Sequence, residues 1–343
     1  MGRFTRPRRV SASRCRLALL GTVIAMWASL AASAVAQPQV AWRHGIIEAK
    51  SDAGITFMAS RRDLAARLGL KLDFVQLKND TIALKALLAG ELDSYEGGAG
   101  GAMVAAARGA DVRIVGCYWL AAPHGVYARA GIASMADLRG KSVAVSTPGS
   151  FPDIFARAAF EKAGIALGDV RLAAMGSDTD RYKALIAGVV DAAIITNEFV
   201  PLAGDRIHDL MPASVVMPDF MRLCLQMTGR TVVQRREDAA KFLAAEIDGL
   251  RYAMSHRDET VRLTREITGA KEDDPRPAFV YDEAVRTKVV ATDLPIPMDK
   301  LAYMEKEVLA AGNLVRPIDL DKLVDKAPRE AALALLALAG LPR

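Results

Sequence analysis

The sequence predicts an α/β protein of two similar lobes, with mainly parallel sheets and helices on both faces. Three observations carry this. KALLAGELDSYEGG, Lys85 to Gly98, returns 98 residues later as KALIAGVVDAAIIT, Lys183 to Thr196. That spacing is too long for a solenoid, whose periods run about 20–50 residues. Strand-like and helix-like segments alternate in two successive series, the pattern of parallel sheets flanked by helices. The chain has 343 residues, 52% hydrophobic and 25% charged, a globular composition with length for two units of about 100–200 residues each.

The first 36 residues stand apart. MGRFTRPRRVSASRCR carries six arginines and no acid, and the uncharged apolar run LALLGTVIAMWASLAASAVA follows it. The ending Ala34-Val35-Ala36 has the small-x-small pattern of a cleaved export signal, so residues 1–36 are expected to be a signal peptide cut before Gln37. An uncleaved anchor is the alternative, because Leu17 to Ala36 is about long enough to span a bilayer. Without those arginines 39 basic residues face 40 acidic ones, so the net charge of +5 belongs to the leader. A nucleic-acid partner thereby loses its main support.

The first lobe is expected over 37–122. VAWRHGII reads as a strand, GITFMASRRDLAARLG as one helix closed by Gly69, and KLDFVQL as a strand with alternating polarity. DTIALKALLAG is a helix capped by Asn79 or Asp80 and ended by Gly90. LDSYE, AMVAAARGA and DVRIVGCYWL continue as strand, helix and strand.

The second lobe is expected over 123–222. It begins with the strand HGVYARAG and a short turn of helix framed by Ser134 and Asp137 as a capping box. KSVAVS is a strand, and PDIFARAAFEKAG is a helix with Pro152 in its first turn, where a missing N–H costs nothing. VRLAAM, SDTDRYKALIAG and DAAIIT follow as strand, helix and strand. From 223 the chain returns to the first lobe through MRLCLQMTG and becomes helical. The apolar ending AALALLALAGLPR is too short to span a membrane.

Cys117 and Cys224 follow the leader. An oxidising compartment permits a disulfide, but both lie in apolar strand-like runs, and the expectation is two buried free thiols. With no CxxC and four histidines, neither a metal site nor a cofactor is expected.

Ligands of open parallel sheets bind beyond the C-terminal strand ends. In the first lobe this selects His44, Glu48, Gly97 and Gly98; glycine there lets backbone approach a ligand closely. In the second it selects Ser146, Thr147, Gly149, Ser150 and Phe151, where hydroxyls meet a helix N-terminus that favours an anion or acceptor. Ser150 alternatively serves as an ordinary helix cap. The loop Gly176-Ser177-Asp178 is a further strand end, and Asn197 and Glu198 follow the last strand. Glu48, Glu96 and Glu198 would receive amine or amide donors, or face solvent, and they weigh against a bare nitrate or sulfate unless paired with Arg43 or Arg181. Trp42, Tyr95, Tyr118 and Trp119 either wall an organic ligand or fill the core. No nucleophile and base stand at catalytic spacing, so no catalytic residue is assigned; only His44 and His124 are placed to serve an enzyme.

The run DLRGKSVAVSTPGSFPDIFARAAFEKAGIALGDVRLAAM, with RYKALIAGVVDAAIIT after it, resembles the nitrate/sulfonate/taurine substrate-binding proteins of ABC importers, a superfamily that also holds pyrimidine-precursor binders. The resemblance covers most of Trp42 to Val200, and DLPIPMDKLAYMEKEVLAAGNL is similar to the family's closing helices. It implies a two-lobed type II periplasmic binding fold, with crossing strands near Tyr118–Val126 and Leu223–Thr228 and ligand in a cleft that closes by hinge motion. The implied ligand loops are Gly97-Gly98, Ser146 to Phe151 and Thr196 to Glu198. The implied ligand is a small polar organic molecule: a sulfonate, a carboxylate, a nitrate- or taurine-like solute, or a heterocycle. The implied partner is an ABC permease with its ATPase, the place is the periplasm, and the state is a monomer. A sensory module or an enzyme on the same fold is the alternative, although pyrimidine synthases of this fold need a cysteine-rich segment that the chain lacks.

Overall fold

The computed structural model describes residues 1–3, 39–78, 80–146 and 150–338. The expected signal peptide, Asn79 as a cap, and Thr147 and Gly149 lie outside the described residues. The compact body begins at Gln39. Among the described residues no helix is long and apolar enough to cross a membrane.

Among the described residues ten strands form two sheets of five. They are β1 (Val40–Ile47), β2 (Leu70–Leu77), β3 (Ser94–Gly97), β4 (Arg113–Trp119), β5 (His124–Arg129), β6 (Ser142–Val145), β7 (Arg171–Ala174), β8 (Ala192–Thr196), β9 (Ile207–Pro212) and β10 (Leu223–Met227). The first sheet runs β2-β1-β3-β10-β4 and the second β7-β6-β8-β5-β9. β1 lies parallel to β2 and β3, while β10 lies antiparallel to β3 and β4. In the second sheet β6 is parallel to β7 and β8, and β5 is antiparallel to β8 and β9. Both sheets are therefore mixed: four strands share a direction and the fourth position runs against them.

Nine longer helices among the described residues cover these sheets. They are α1 (Asp80–Ala89), α2 (Ala99–Ala107), α3 (Phe151–Lys162), α4 (Asp178–Ile186), α5 (Arg236–Ser255), α6 (Arg257–Thr268), α7 (Arg276–Thr287), α8 (Met298–Ala310) and α9 (Ala327–Leu338). α5 is buried along most of its length, and its Phe242 stacks on Trp42 of β1 at 5.1 Å. Gly249 permits that seat, since a Cβ there would stand 2.6 Å from the backbone nitrogen of Ala59.

Three expectations need correction. The stretch predicted as one helix over 54–69 is three short pieces, Ala53–Thr56, Met58–Arg61 and Leu64–Arg67. Arg62 is extended between two of them; its guanidinium bonds Asp248 at 3.1 Å and covers the Tyr252 ring at 4.0 Å. Tertiary contacts outweigh the helix propensity of this Ala/Arg-rich run. Cys117 and Cys224 are not free thiols: they face each other across β4 and β10 and form a disulfide. Lone apolar cysteines carry no sign of this, because the pairing depends on a strand that returns 107 residues later. Leu223–Met227 is also a strand of the first sheet rather than a crossing segment; the chain crosses through 120–123 and returns through the residues just before 223.

Candidate functional site

The segment after β1 puts three consecutive residues to work. Lys50 Nζ reaches Asp178 at 2.6 Å, Ser51 N–H points to Glu198 Oε2 at 3.4 Å, and Asp52 pairs with Arg222. Asp178 and Glu198 follow strands of the second sheet, so a loop of the first sheet spans the gap between the two. The loop is seated by Gly54, whose N–H donates to Thr264 Oγ1 at 2.8 Å and whose missing Cβ leaves room for the Thr260 carbonyl.

Asp178 is the first residue of α4, after Ser177, which makes a capping box with Asp180. Arg181, one turn on, is 2% exposed. It pairs with Asp178 and donates to the carbonyls of Ile194 and Gly176. His124 Nε2 lies 3.8 Å from Asp178 Oδ1. Burial opposes the Asp178 charge, but Lys50, His124 and Arg181 outweigh it and hold the carboxyl well below its usual range. Burial also opposes the Lys50 charge, and Asp178 with Glu198 outweighs it and raises the ammonium's pKa. His124, buried, is pushed down to about 3 and stays uncharged at neutral pH.

Of these groups Lys50 and His124 border a cavity of about 690 Å³ between the sheets. The 119–124 link, Lys50, Asp52, Arg222, Thr196, Asn197 and Glu198 line one part of it, and the C-terminal half of α7 another. The Arg222 guanidinium sits 4.6 Å from the Trp119 ring centre, a cation–π arrangement that leaves an aromatic wall on the cavity. Glu198 is buried and accepts from Thr196 Oγ1 at 2.9 Å.

The end of β3 is closed instead. Tyr118 donates to the Glu96 carboxyl. Burial, reinforced by the Asp52 and Asp80 charges, pushes Glu96 up to about 8, against Tyr118 and Arg222. Glu246 of α5, also buried, is raised well above its usual range. Gly97 has no space for a side chain, with Asp80 Oδ1 and the Tyr95 ring 2.3–2.5 Å from where a Cβ would be. Gly98 immediately precedes α2, and its N–H donates to Asp80 at 3.3 Å.

Of the sequence candidates, Asn197 and Glu198 line the cavity. Phe151 packs on His124 at 4.8 Å and on Phe220 at 4.5 Å. Ser146 is half-buried just after β6, and Ser150 precedes α3 without a side-chain cap bond, its hydroxyl buried and without a partner among the described residues. Two candidates are misplaced. His44 is wholly buried between Phe74 and Phe242, with Nδ1 on Ser94 Oγ at 2.8 Å, because its side chain points into the face of β1 that α5 covers. Glu48 is exposed, away from the cavity lining. Trp42, Tyr95 and Tyr118 fill the core, and only Trp119 of the four aromatic candidates reaches the cavity. Sequence reasoning missed Lys50, Asp52 and Arg222. The signal was positional: the first two begin just beyond the His44–Glu48 loop already chosen. Among the described residues no group of His, Cys, Asp and Glu is arranged for a metal ion.

The NMT1/THI5 like family model matches residues 51–260, and the chain belongs to that family. A Brucella abortus (strain 2308) protein named "Putative binding protein" is 33% identical over 201 residues, which cover 57% of this chain and 60% of that one. The match thus spans less than two thirds of that relative's length. Among solved structures, the periplasmic aliphatic sulphonate binding protein SsuA of Escherichia coli aligns with TM-score 0.68 and 20% identity, over 84% of this chain and 97% of that one. A ligand binding component of an ABC-type import system from Staphylococcus aureus, with zinc bound, gives TM-score 0.68 and 16% identity over 86% and 99%. The desulfurization enzyme DSZB gives TM-score 0.66 and 15% identity over 87% and 99%. At these identities the likeness is one of fold, the periplasmic binding protein fold.

Proposed function

We propose that the chain is the solute-binding component of an ABC importer. It captures a small polar organic molecule between its two lobes outside the cytoplasmic membrane and presents the closed complex to a permease with its ATPase. Residues 37–122 with 223–343 make one lobe and 123–222 the other, and residues 1–36 are an export signal. The observation that carries this reading is the Lys50-Ser51 pair, which reaches across the gap to Asp178 and Glu198 beside the cavity. Such contacts form only when the lobes are together, so a ligand that adds contacts on both sides shifts the equilibrium towards closure. Trp119 supplies an apolar wall, while His124, Asn197, Glu198, Lys50 and Arg222 supply the polar groups that fix orientation. The import-system and sulphonate-binding neighbours support the assignment.

The test is a thermal-shift panel on the chain from Gln37 onward, with alkane- and arylsulfonates, taurine, nitrate, carboxylates and pyrimidines, each mixture assayed afterwards for chemical change. A ligand at about 100 times its Kd stabilises the fold by about 2.7 kcal/mol. A shift without turnover is expected. Turnover would move the chain towards enzymes such as DSZB, and a flat panel would count against solute capture from these classes.

A further inference from the structure

Resting on the solute-binding reading, we infer that Lys50 is the exchangeable cation of the cleft and Asp178 its resident competitor: an anionic oxygen group of the ligand, carboxylate or sulfonate, takes Lys50 from Asp178 on binding. Asp178 then determines how tightly the cleft holds an anion.

The geometry around Asp178 is that of an anion receptor filled by the chain's own carboxylate. Lys50 comes from the first sheet, Arg181 from α4 and His124 from β5, and all three converge on this one side chain. The carboxylate also lies in the first turn of α4, where helix N–H groups favour negative charge.

The two ion pairs made by this loop, Lys50 with Asp178 across the gap and Asp52 with Arg222 on the first-sheet side, differ in what their separation leaves behind. Asp52 has one ion-pair partner among the described residues, Arg222, so releasing Arg222 would strand a buried carboxylate. Asp178 keeps Arg181, fixed by two backbone carbonyls, when Lys50 departs. Mobility differs in the same sense. The Lys50 side chain is 30% exposed on a flexible stem and borders the cavity, while the Asp178 side chain is 7% exposed. Exchange at Lys50 therefore leaves no buried charge alone.

The experiment is isothermal titration of methanesulfonate, benzoate and the uncharged isostere dimethyl sulfone into four proteins: wild type, Lys50→Met, Asp178→Asn and the Lys50→Met/Asp178→Asn pair. Asp178→Asn is expected to bind methanesulfonate and benzoate at least ten-fold more tightly than wild type. The added Lys50→Met change is expected to abolish that gain, and Asp178→Asn should raise dimethyl sulfone affinity by several-fold less than it raises that of methanesulfonate. Because Asp178→Asn leaves Arg181 unpartnered and can unfold the chain, Asp178→Asn/Arg181→Met, which removes both buried charges, carries the same expectation. No gain in a folded Asp178→Asn or Asp178→Asn/Arg181→Met protein, or a gain that survives Lys50→Met, overturns the inference. Binding of uncharged panel members by wild type would then leave solute capture standing. Binding of nothing by any variant would remove both readings.

Discussion

The two sheets are the same frame used twice. Each has three parallel strands, then an antiparallel one, then a fifth in the first direction. The sequence repeat lies at corresponding places, entering β3 in one sheet and β8 in the other, and its aspartate does the same work in both. Asp93 accepts the N–H of Arg43 on β1 at 2.8 Å, and Asp191 accepts the N–H of Ser142 on β6 at 3.0 Å. Each also holds an arginine, Arg43 with Arg235 in one case and Arg129 in the other. The repeat is therefore a device for fixing the start of one parallel strand against its neighbour. The difference lies at the far ends of those strands. Near the end of β3 Glu96 is sealed under Tyr118, whereas Thr196 at the end of β8 and Asn197 and Glu198 just beyond it open on the cavity. A shared backbone has been given a closed electrostatic plug on one side and an accessible polar face on the other.

The largest test of this contrast is the disulfide, which only the first sheet possesses. Cys117→Ser/Cys224→Ser, or reduction by dithiothreitol, should lower unfolding free energy by about 3–5 kcal/mol, as expected for closing a loop of this length. A urea midpoint that does not move would mean that the bond adds nothing to the β4–β10 pairing.

The plug comes next. Glu96 is raised from 4.5 to about 8, so between those values the folded chain holds a proton that the unfolded chain has released. Stability linked to this group is complete below about pH 4.5, falls as the pH rises and is lost as it passes about 8. Glu96→Gln should remove that fall and stabilise the protein at pH 8–9 by on the order of a few kcal/mol, measured as denaturant curves across pH. The buried histidines act in the opposite sense. His44 and His124 are lowered to about 3, so their contribution is complete above about pH 6.5 and is lost as the pH falls towards 3. Glu198→Gln, on the open side, should alter ligand affinity in a titration at fixed pH. A Glu96→Gln protein whose ligand affinity changes as much as that of Glu198→Gln would erase the distinction between plug and open face.

The repeated aspartates should behave alike and more modestly. Asp93→Ala and Asp191→Ala are each expected to cost about 1–3 kcal/mol, from a strand N–H left without its acceptor. Asp191, pushed down to about 2 by the Ser142 N–H and Arg129 despite burial, should keep its contribution above about pH 4 and lose it as the pH falls through 2. A cost in one sheet only would show that the repeat is not structurally equivalent. The smallest effect belongs to Gly90 and Gly188, which leave the two repeat helices at φ 79° and 71° with no neighbouring atom near an added Cβ. Alanine at either should cost about 1 kcal/mol in thermal stability, from backbone strain alone.

Much of this frame was legible because period and punctuation are local. KALLAG and KALIAG announce helices ended by a left-handed glycine, and the strands around them follow from alternation or apolar runs. The place of Asn197 and Glu198 at the cavity was legible because they directly follow a strand end. What escaped depends on contacts distant in sequence. The break at Arg62 needs Tyr252, the buried place of His44 needs Phe242, and the disulfide needs β10 beside β4. Arg222 has no sequence mark at all: its role arises because Asp52 and Trp119 meet it in space.

The position of the disulfide gives the molecule a modular character. Cys117 stands just before the chain leaves the first sheet, and Cys224 just after it comes back. Everything that builds the second sheet is therefore an insert whose departure and return are pinned together by one covalent staple. Such an insert can be exchanged between relatives without rethreading the host, because only one doorway has to match. Much of the cavity lining, His124, Asn197 and Glu198 included, would travel in the exchanged piece while Lys50 and Asp52 stayed behind. New specificities could thus arise by recombining halves instead of rebuilding a whole pocket.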